Sequence, residues 1–225
     1  VILDSIIQIH ESSGKRYGSP KILEELKKQG FKCGHKRVER LMSENRIKSI
    51  AVKKKKPHGG SVKAEEASEN LLNRNFTVME RNKVWVTDIT YIKAVSHWLY
   101  LCVFLDLYSR KVVGWSVSRN PDARLVLSAL NMACEREKPD PGLMIHSDRG
   151  TQYGSKEYRK ALGDRKFTQS MSRTGNCWDN ACIESFFHLI KGEELNQVKI
   201  EGILHLQKVV FRYIELFYNR IRTHS

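Results

Sequence analysis

No apolar run in this 225-residue chain approaches the roughly 18 residues a membrane-spanning helix requires, so no membrane partner is expected. The opening stretch VILDSIIQIHESSG is apolar, but it carries Asp4 and His10 and has no small-residue cleavage site. It reads as an amphipathic helix rather than a signal peptide. Cysteine is sparse as well. Cys33, Cys102, Cys134, Cys177 and Cys182 are odd in number, and no two are spaced C-x-x-C. That pattern argues against a disulfide framework and a zinc finger, and it fits a reducing cytosol. Acidic residues are also in deficit. Asp and Glu number 25 against 39 Lys and Arg, which leaves a net charge of +14.

Hydrophobic residues make up 40% of the chain, enough for a buried core and too many for global disorder. The positive charge is uneven. Residues 1–60 hold 15 Lys/Arg against 6 Asp/Glu, whereas the remainder holds 24 against 19. A field of that sign attracts polyanions, of which nucleic acid is the commonest. A membrane surface is a weaker option, because no basic-aromatic amphipathic helix stands out. A basic soluble enzyme is the plain alternative.

The chain divides into three by pattern. Residues 1–50 hold three helical stretches. Ile2, Leu3, Ile6, Ile7 and Ile9 recur at near-helical spacing. Ser19 and Pro20 open a second helix, which Gly30 stops. HKRVERLMSENRI forms the third, with Lys36, Arg37 and Arg40 near its start. Two short helices joined by a Gly-containing turn, the second of them basic, match a helix-turn-helix whose N-terminal end enters a DNA groove. A small helical bundle with solvated charges is the bland alternative. Residues 51–79 read as a basic linker and connecting segment around KKKKPHGGS. Residues 80–225 change character. KVWVTDITYI, HWLYLCVFLDLYS and RKVVGWSVS read as three strands in an antiparallel meander. Asp122 then caps a helix, GLMIHSD returns as a strand, and a helix, the strand KFTQSMS, the loop TGNCWDN and a helix from about Asp179 follow. The order βββαβαβα predicts an α/β class: a mixed sheet flanked by helices, preceded by a small all-α domain.

Three carboxylates stand out. Asp88 falls inside the strand pattern WVTDITY, where an unpaired charge costs several kcal/mol or is neutralised by a pKa shift. Asp148 follows the strand GLMIHS, at the strand end where open α/β sheets bind ligands. Glu184 sits in the last of these helices, with His188 and Lys191 on the same face. Each has a structural alternative: Asp148 as a turn cap, Glu184 as a surface residue. Together they can converge on divalent ions that prefer oxygen, and a pair of such ions suits in-line phosphoryl displacement.

WVTDITY, HSDRGTQY, SRTGNCWDNACIESFFHLIK and the tail FYNRIRTHS resemble the DDE transposases of bacterial insertion sequences, specifically the OrfB-type transposase of the insertion sequence three family. Between Asp148 and Glu184 lie 35 residues, and Lys191 follows Glu184 by seven; both intervals are similar to the family's. The resemblance implies an RNase H-like, retroviral-integrase-like catalytic core. It implies Asp88, Asp148 and Glu184 as catalytic residues and ligands of two Mg²⁺ or Mn²⁺ ions. The implied reactions are hydrolysis of a phosphodiester at an element end and attack of the freed 3′-hydroxyl on another phosphodiester. The implied partners are double-stranded DNA, both terminal repeats and target, and further copies of the chain assembled on it. The implied location is the bacterial cytoplasm at the nucleoid. The first residue is Val, and the chain stops at THS where relatives continue, so a fragment cut at both ends is expected. His10, Cys33 and His35 lack the zinc-module pattern of retroviral integrases, so no structural zinc is expected. Gln152, Tyr153, Asn176, Trp178, Asn180 and Lys191 are further candidates for DNA contact, alongside Lys36, Arg37 and Arg40. The competing readings are an RNase H-type nuclease that cuts without joining and a catalytically silent DNA-binding fragment.

Overall fold

The computed structural model describes residues 1–50, 68–174 and 176–222. Most of the basic run expected as a linker, 51–67, lies outside them, as do the last three residues of the tail motif. The described residues form two compact units.

The first unit contains Val1–Lys55, Leu189–Val198 and Arg212–Ser225. Its helices α1 (Ile2–Ser12), α2 (Ser19–Lys28) and α3 (His35–Glu44) lie where the periodicity puts them. Pro20 stands in the first turn of α2, where its missing N–H costs nothing. Ile6, Ile9, Ile22, Leu26, Val38 and Met42 close the core between the three helices. The polar face of α3 leaves Lys36, Arg37 and Arg40 exposed.

Two segments of the region 80–225, Leu189–Val198 and Arg212–Ser225, group with the N-terminal helices in this first unit. Arg16 links these segments to the N-terminal helices, and Glu193 links the two segments to each other. Glu194 pairs with Arg16, and buried Glu193 accepts from Arg222 at 2.9 Å and from the Tyr213 hydroxyl at 2.7 Å. The Arg16 guanidinium also lies over the Phe217 ring, 4.6 Å from its centroid.

The second unit contains Lys56–His188 and Lys199–Phe211. Its strands are β1 (Val84–Lys93), β2 (Trp98–Asp106), β3 (Val112–Ser118), β4 (Met144–Ser147) and β5 (Thr168–Met171), in the spatial order β3-β2-β1-β4-β5. The pairs β1–β2 and β2–β3 are antiparallel, as the short links require. The pairs β1–β4 and β4–β5 are parallel, their crossovers running through α4 (Ala123–Glu137) and α5 (Lys156–Asp164). The Asp122 carboxylate caps α4 by accepting the Leu125 N–H at 3.1 Å. Trp85, Phe104, Val126, Leu130, Ile145 and Tyr158 fill the core between the sheet and these helices.

The helix expected from about Asp179 to Asn196 is broken into three kinds of turn. A 3₁₀ turn (Cys177–Asn180) leads into α6 (Ala181–Ile190), which widens into a π-helical turn (Lys191–Leu195). A helix the sequence reading did not assign, α7 (Ile203–Phe211), continues as a second π-helical turn (Arg212–Tyr218). Among the described residues, no helix is long and apolar enough to cross a membrane.

Gly114 sets how closely α4 lies on β3. A Cβ there would fall 2.3 Å from the Ala129 carbonyl oxygen and 2.7 Å from the Ala133 nitrogen, both of them backbone atoms that cannot turn aside. Gly114→Ala should therefore destabilise the protein by about 3 kcal/mol through overpacking, lowering the thermal midpoint by several degrees. A melting curve superimposable on the wild type would show that the helix can slide at no cost.

Candidate active site

The parallel pairing of β1 with β4 is short. It runs from Val84 opposite Met144 to Val86 opposite His146. Asp88 and Asp148 each stand two residues beyond the last paired position, so they occupy matching places on neighbouring strands. β1 continues against β2 alone, and an opening remains where β4 ends. A pocket of about 200 Å³ lies there, lined by Asp88, Ile89, Tyr91, Tyr100, Pro121, Asp148, Gln152 and Tyr153. The sheet therefore brings two of the three expected carboxylates to one pocket.

Both carboxylates are held locally. Asp88 accepts the Ile89 N–H at 2.7 Å. Asp148 accepts the Gly150 N–H at 2.9 Å. A Cβ at Gly150 would fall 3.0 Å from the Asp148 carboxylate and 2.6 Å from the Gln152 amide oxygen, so a larger residue there would have to displace both side chains. The Asp148 carboxylate opens to solvent, yet surrounding protein atoms strip enough hydration to raise its pKa, and the Gly150 N–H only partly opposes this. The negative charge of both acids reaches the groups beneath them. The Cys102 thiol is pushed up to about 12, first by burial and further by Asp88 and Asp148. The Tyr153 hydroxyl is raised for the same reasons.

Tyr153 was expected to contact DNA, and its position corrects that. Only 1% of it is exposed. Its hydroxyl lies 3.2 Å from Thr87 Oγ1, and its ring meets Tyr158 edge-on at 5.5 Å. It is a floor under the pocket. Asn180 needs the same correction. It is buried, and its Nδ2 donates to the Thr87 carbonyl at 3.2 Å. That bond ties the start of α6 to the residue just before Asp88, and Glu184 follows one helical turn later. Gln152 is half-buried and donates to the Pro121 carbonyl at 2.5 Å. Asn176 accepts from Arg74 at 2.7 Å. Trp178 is 70% exposed. Lys191 is half-buried and belongs to the first unit. Among the described residues, no three His, Cys, Asp or Glu side chains stand at metal-holding distances.

Buried beside the Glu184 helix is an aspartate the sequence reading used only as a helix start. Asp179 is fully buried and accepts from the backbone N, Nε and Nη2 of Arg173, from Nε of Arg74 at 2.7 Å and from Asn70 at 2.9 Å. Its pKa falls far below the ordinary carboxylate range, chiefly through the Arg173 hydrogen bonds and against the pull of burial. Neighbouring contacts belong to the same segment: the backbone N–H groups of Leu71 and Leu72 donate to Ser170, whose hydroxyl also meets the buried His146 ring at 2.8 Å. Residues 68–75 are thus not a passive connection, as the sequence suggested. They pack on β5 and brace the loop before Glu184. Nothing local in the sequence marks this, because Arg74 and Asp179 are 105 positions apart.

Because the folded pKa of Asp179 is depressed, its stabilisation is present above the unfolded value of 3.8 and is lost as pH falls below it. Asp179→Asn should cost about 2 kcal/mol at neutral pH, since two half-exposed arginines lose a charged acceptor. It should also flatten the acid limb of stability against pH, read by denaturant titration at pH 3 to 7. An acid limb unchanged by the substitution would show that the clamp contributes nothing.

Comparison with known proteins agrees with this architecture. An integrase core domain family matches residues 79–177, a second integrase core domain family matches 165–225, and an HTH-like domain family matches 1–56. The chain is 39% identical over 213 residues to transposase InsF of insertion sequence IS3A from Escherichia coli, covering 95% of this chain and 74% of that one. It is 39% identical over 216 residues to the transposase of insertion sequence element IS904 from Lactococcus lactis, covering 96% and 85%. Among solved structures, the HTLV-2 integrase catalytic core in complex with magnesium superimposes with a TM-score of 0.50 at 19% identity, over 64% of this chain and 91% of that one. A simian T-cell lymphotropic virus intasome chain also gives 0.50, at 13% identity, over 98% and 70%. These two show a shared fold, the RNase H-like integrase core, and the sequence relatives show the lineage: the chain belongs to the IS3 family of DNA transposases.

Proposed function

We propose that Asp88, Asp148 and Glu184 form the catalytic centre of this transposase and hold two divalent cations, Mg²⁺ or Mn²⁺. One observation carries the reading above the others: two carboxylates each stand two residues past the last β1–β4 pair and line one pocket. The donor set fits a hard cation. Carboxylate oxygens are its preferred ligands, and the Asp148 acid, already losing hydration, gains from a cation alongside. Glu184, carried on α6 one turn after the Asn180 tie to the Thr87 carbonyl, is the third ligand. When bound, the cations supply charge stabilisation for the attacking and leaving oxygens of a phosphodiester. The protein's own part is to fix the acids: Gly150 shapes the turn at Asp148, Asn180 ties α6 to β1, and the Asp179 clamp braces the loop between.

The reaction we assign is hydrolysis at an element end followed by 3′-hydroxyl strand transfer, on double-stranded DNA, by more than one copy of the chain, at the bacterial nucleoid. Lys36, Arg37 and Arg40 support DNA recognition by the first unit. All three are exposed at the start of α3 and line one concavity of about 420 Å³. A phosphate backbone is the natural occupant of such a cationic hollow. Trp178, Gln152, Asn176 and Lys191 are assigned as further DNA contacts. The competing nuclease reading differs in one product, the joined strand.

In a labelled element-end duplex with Mn²⁺, Asp148→Asn and Glu184→Gln should each lower cleavage and joining by at least about a thousandfold while DNA binding stays within a few-fold of wild type. Cleavage without any joined product from the wild type would favour the nuclease. Equal activity in the variants would remove the two residues from the centre. Separately, Lys36→Ala with Arg37→Ala should reduce the slope of log K against log salt by roughly 1–2 units. An unchanged slope would mean that α3 does not touch phosphate.

A further inference from the structure

One face of the sheet carries a stripe of side chains that begins in the core and ends in solvent. In register across β1 and β2, Thr87 faces Phe104, Ile89 faces Cys102, Tyr91 faces Tyr100 and Lys93 faces Trp98. Alternation puts all of these on one face. Phe104 and Cys102 are buried in the core. Beyond them the stripe emerges: Tyr91 is 49% exposed and Trp98 is 50% exposed. Their rings meet edge to face, with centroids 5.4 Å apart and planes at 83°. Single exposed aromatics are ordinary on a protein surface. A contacting pair of half-exposed aromatic residues, one of which lines a pocket that two acidic residues also line, is not.

Continuity with the pocket says what such a pair meets. Tyr91 and Tyr100 line it together with Asp88 and Asp148. Lys93 lies exposed two residues further along β1, beside Trp98 in register. Aromatic faces next to a cationic side chain, leading into an acidic pocket, match a nucleotide strand: bases stack, a phosphate meets Lys93, and the next phosphate reaches the carboxylates. We propose that Tyr91 and Trp98 form a stacking platform for unpaired bases flanking the phosphodiester that enters the Asp88–Asp148 pocket. This rests on reading that pocket as the cleavage site. It adds a requirement: the duplex end opens there, and the platform captures what opening releases.

The test needs no catalysis, so it is separable from the triad. Two element-end duplexes of one sequence are compared by fluorescence anisotropy without divalent cation, one fully paired and one with the bases at the cleavage position mismatched. The wild type should bind the mismatched duplex more tightly. Tyr91→Ala and Trp98→Ala should each reduce that preference about tenfold, the scale of one lost base stack, while Tyr91→Phe and Trp98→Phe keep it. Both positions are half in solvent, so melting temperature should be unchanged in all four variants and serves as the folding control. A wild type indifferent to mismatching, or alanine variants with the preference intact, would overturn the platform. A preference left intact while the alanine variants lose self-association would overturn it too, and give the surface to a second copy of the chain. If the platform holds but Asp148→Asn still cleaves, the error lies in the catalytic assignment instead.

Discussion

Three residue pairs between β1 and β4 set the geometry on which the rest of the active region depends. They align two strands in parallel, and they stop. Where they stop, two acids stand side by side with nothing of the sheet between them. A longer ladder would have closed the opening with backbone hydrogen bonds. An antiparallel one would have separated the acids by the length of a strand. Much of the second unit serves this short ladder. The α4 crossover lets β4 run parallel to β1, Gly114 allows α4 to lie flat on β3, and Tyr153 and Thr87 hold the floor beneath.

A second constraint acts on the segment that leads into α6. α6 carries Glu184, and the segment before it is held by side-chain contacts rather than by strand pairing. Asp179 gathers Arg173, Arg74 and Asn70 around one buried carboxylate. A buried charge with that many donors is costly to dislodge. Asn180 adds the tie to β1. The opposite treatment of the acids is informative. Asp179 is saturated with donors and its pKa is driven down, whereas Asp148 has one backbone N–H and its pKa is driven up. The first is a structural element, and the second lines the pocket.

The sequence showed most of the frame because the frame is local. Alternation in WVTDITY, the cap at Asp122 and the apolar run GLMI mark their elements within a few residues, and Asp88 and Asp148 are conspicuous because charge is out of place there. What it hid is long-range. Arg74 lies in a polar segment with no periodicity, and its partner Asp179 is far away in sequence. Tyr153 stands in a polar motif that invites a surface role, yet the turn at Gly150 folds it inward. The segments 189–198 and 212–222 read as a continuation of the catalytic region, and nothing local in them announces the Arg16–Glu194 pair that groups them with the N-terminal helices.

The central claim is that Asp88 and Asp148 converge in order to hold a cation. Calorimetric titration of Mn²⁺ into the full chain, wild type beside Asp88→Asn and Asp148→Asn, tests it most directly. The account predicts saturable uptake by the wild type that either substitution removes, with melting curves in metal-free buffer unchanged or shifted upward as like charges are relieved. Uptake that persists undiminished in both variants, or no uptake by the wild type at all, would contradict it.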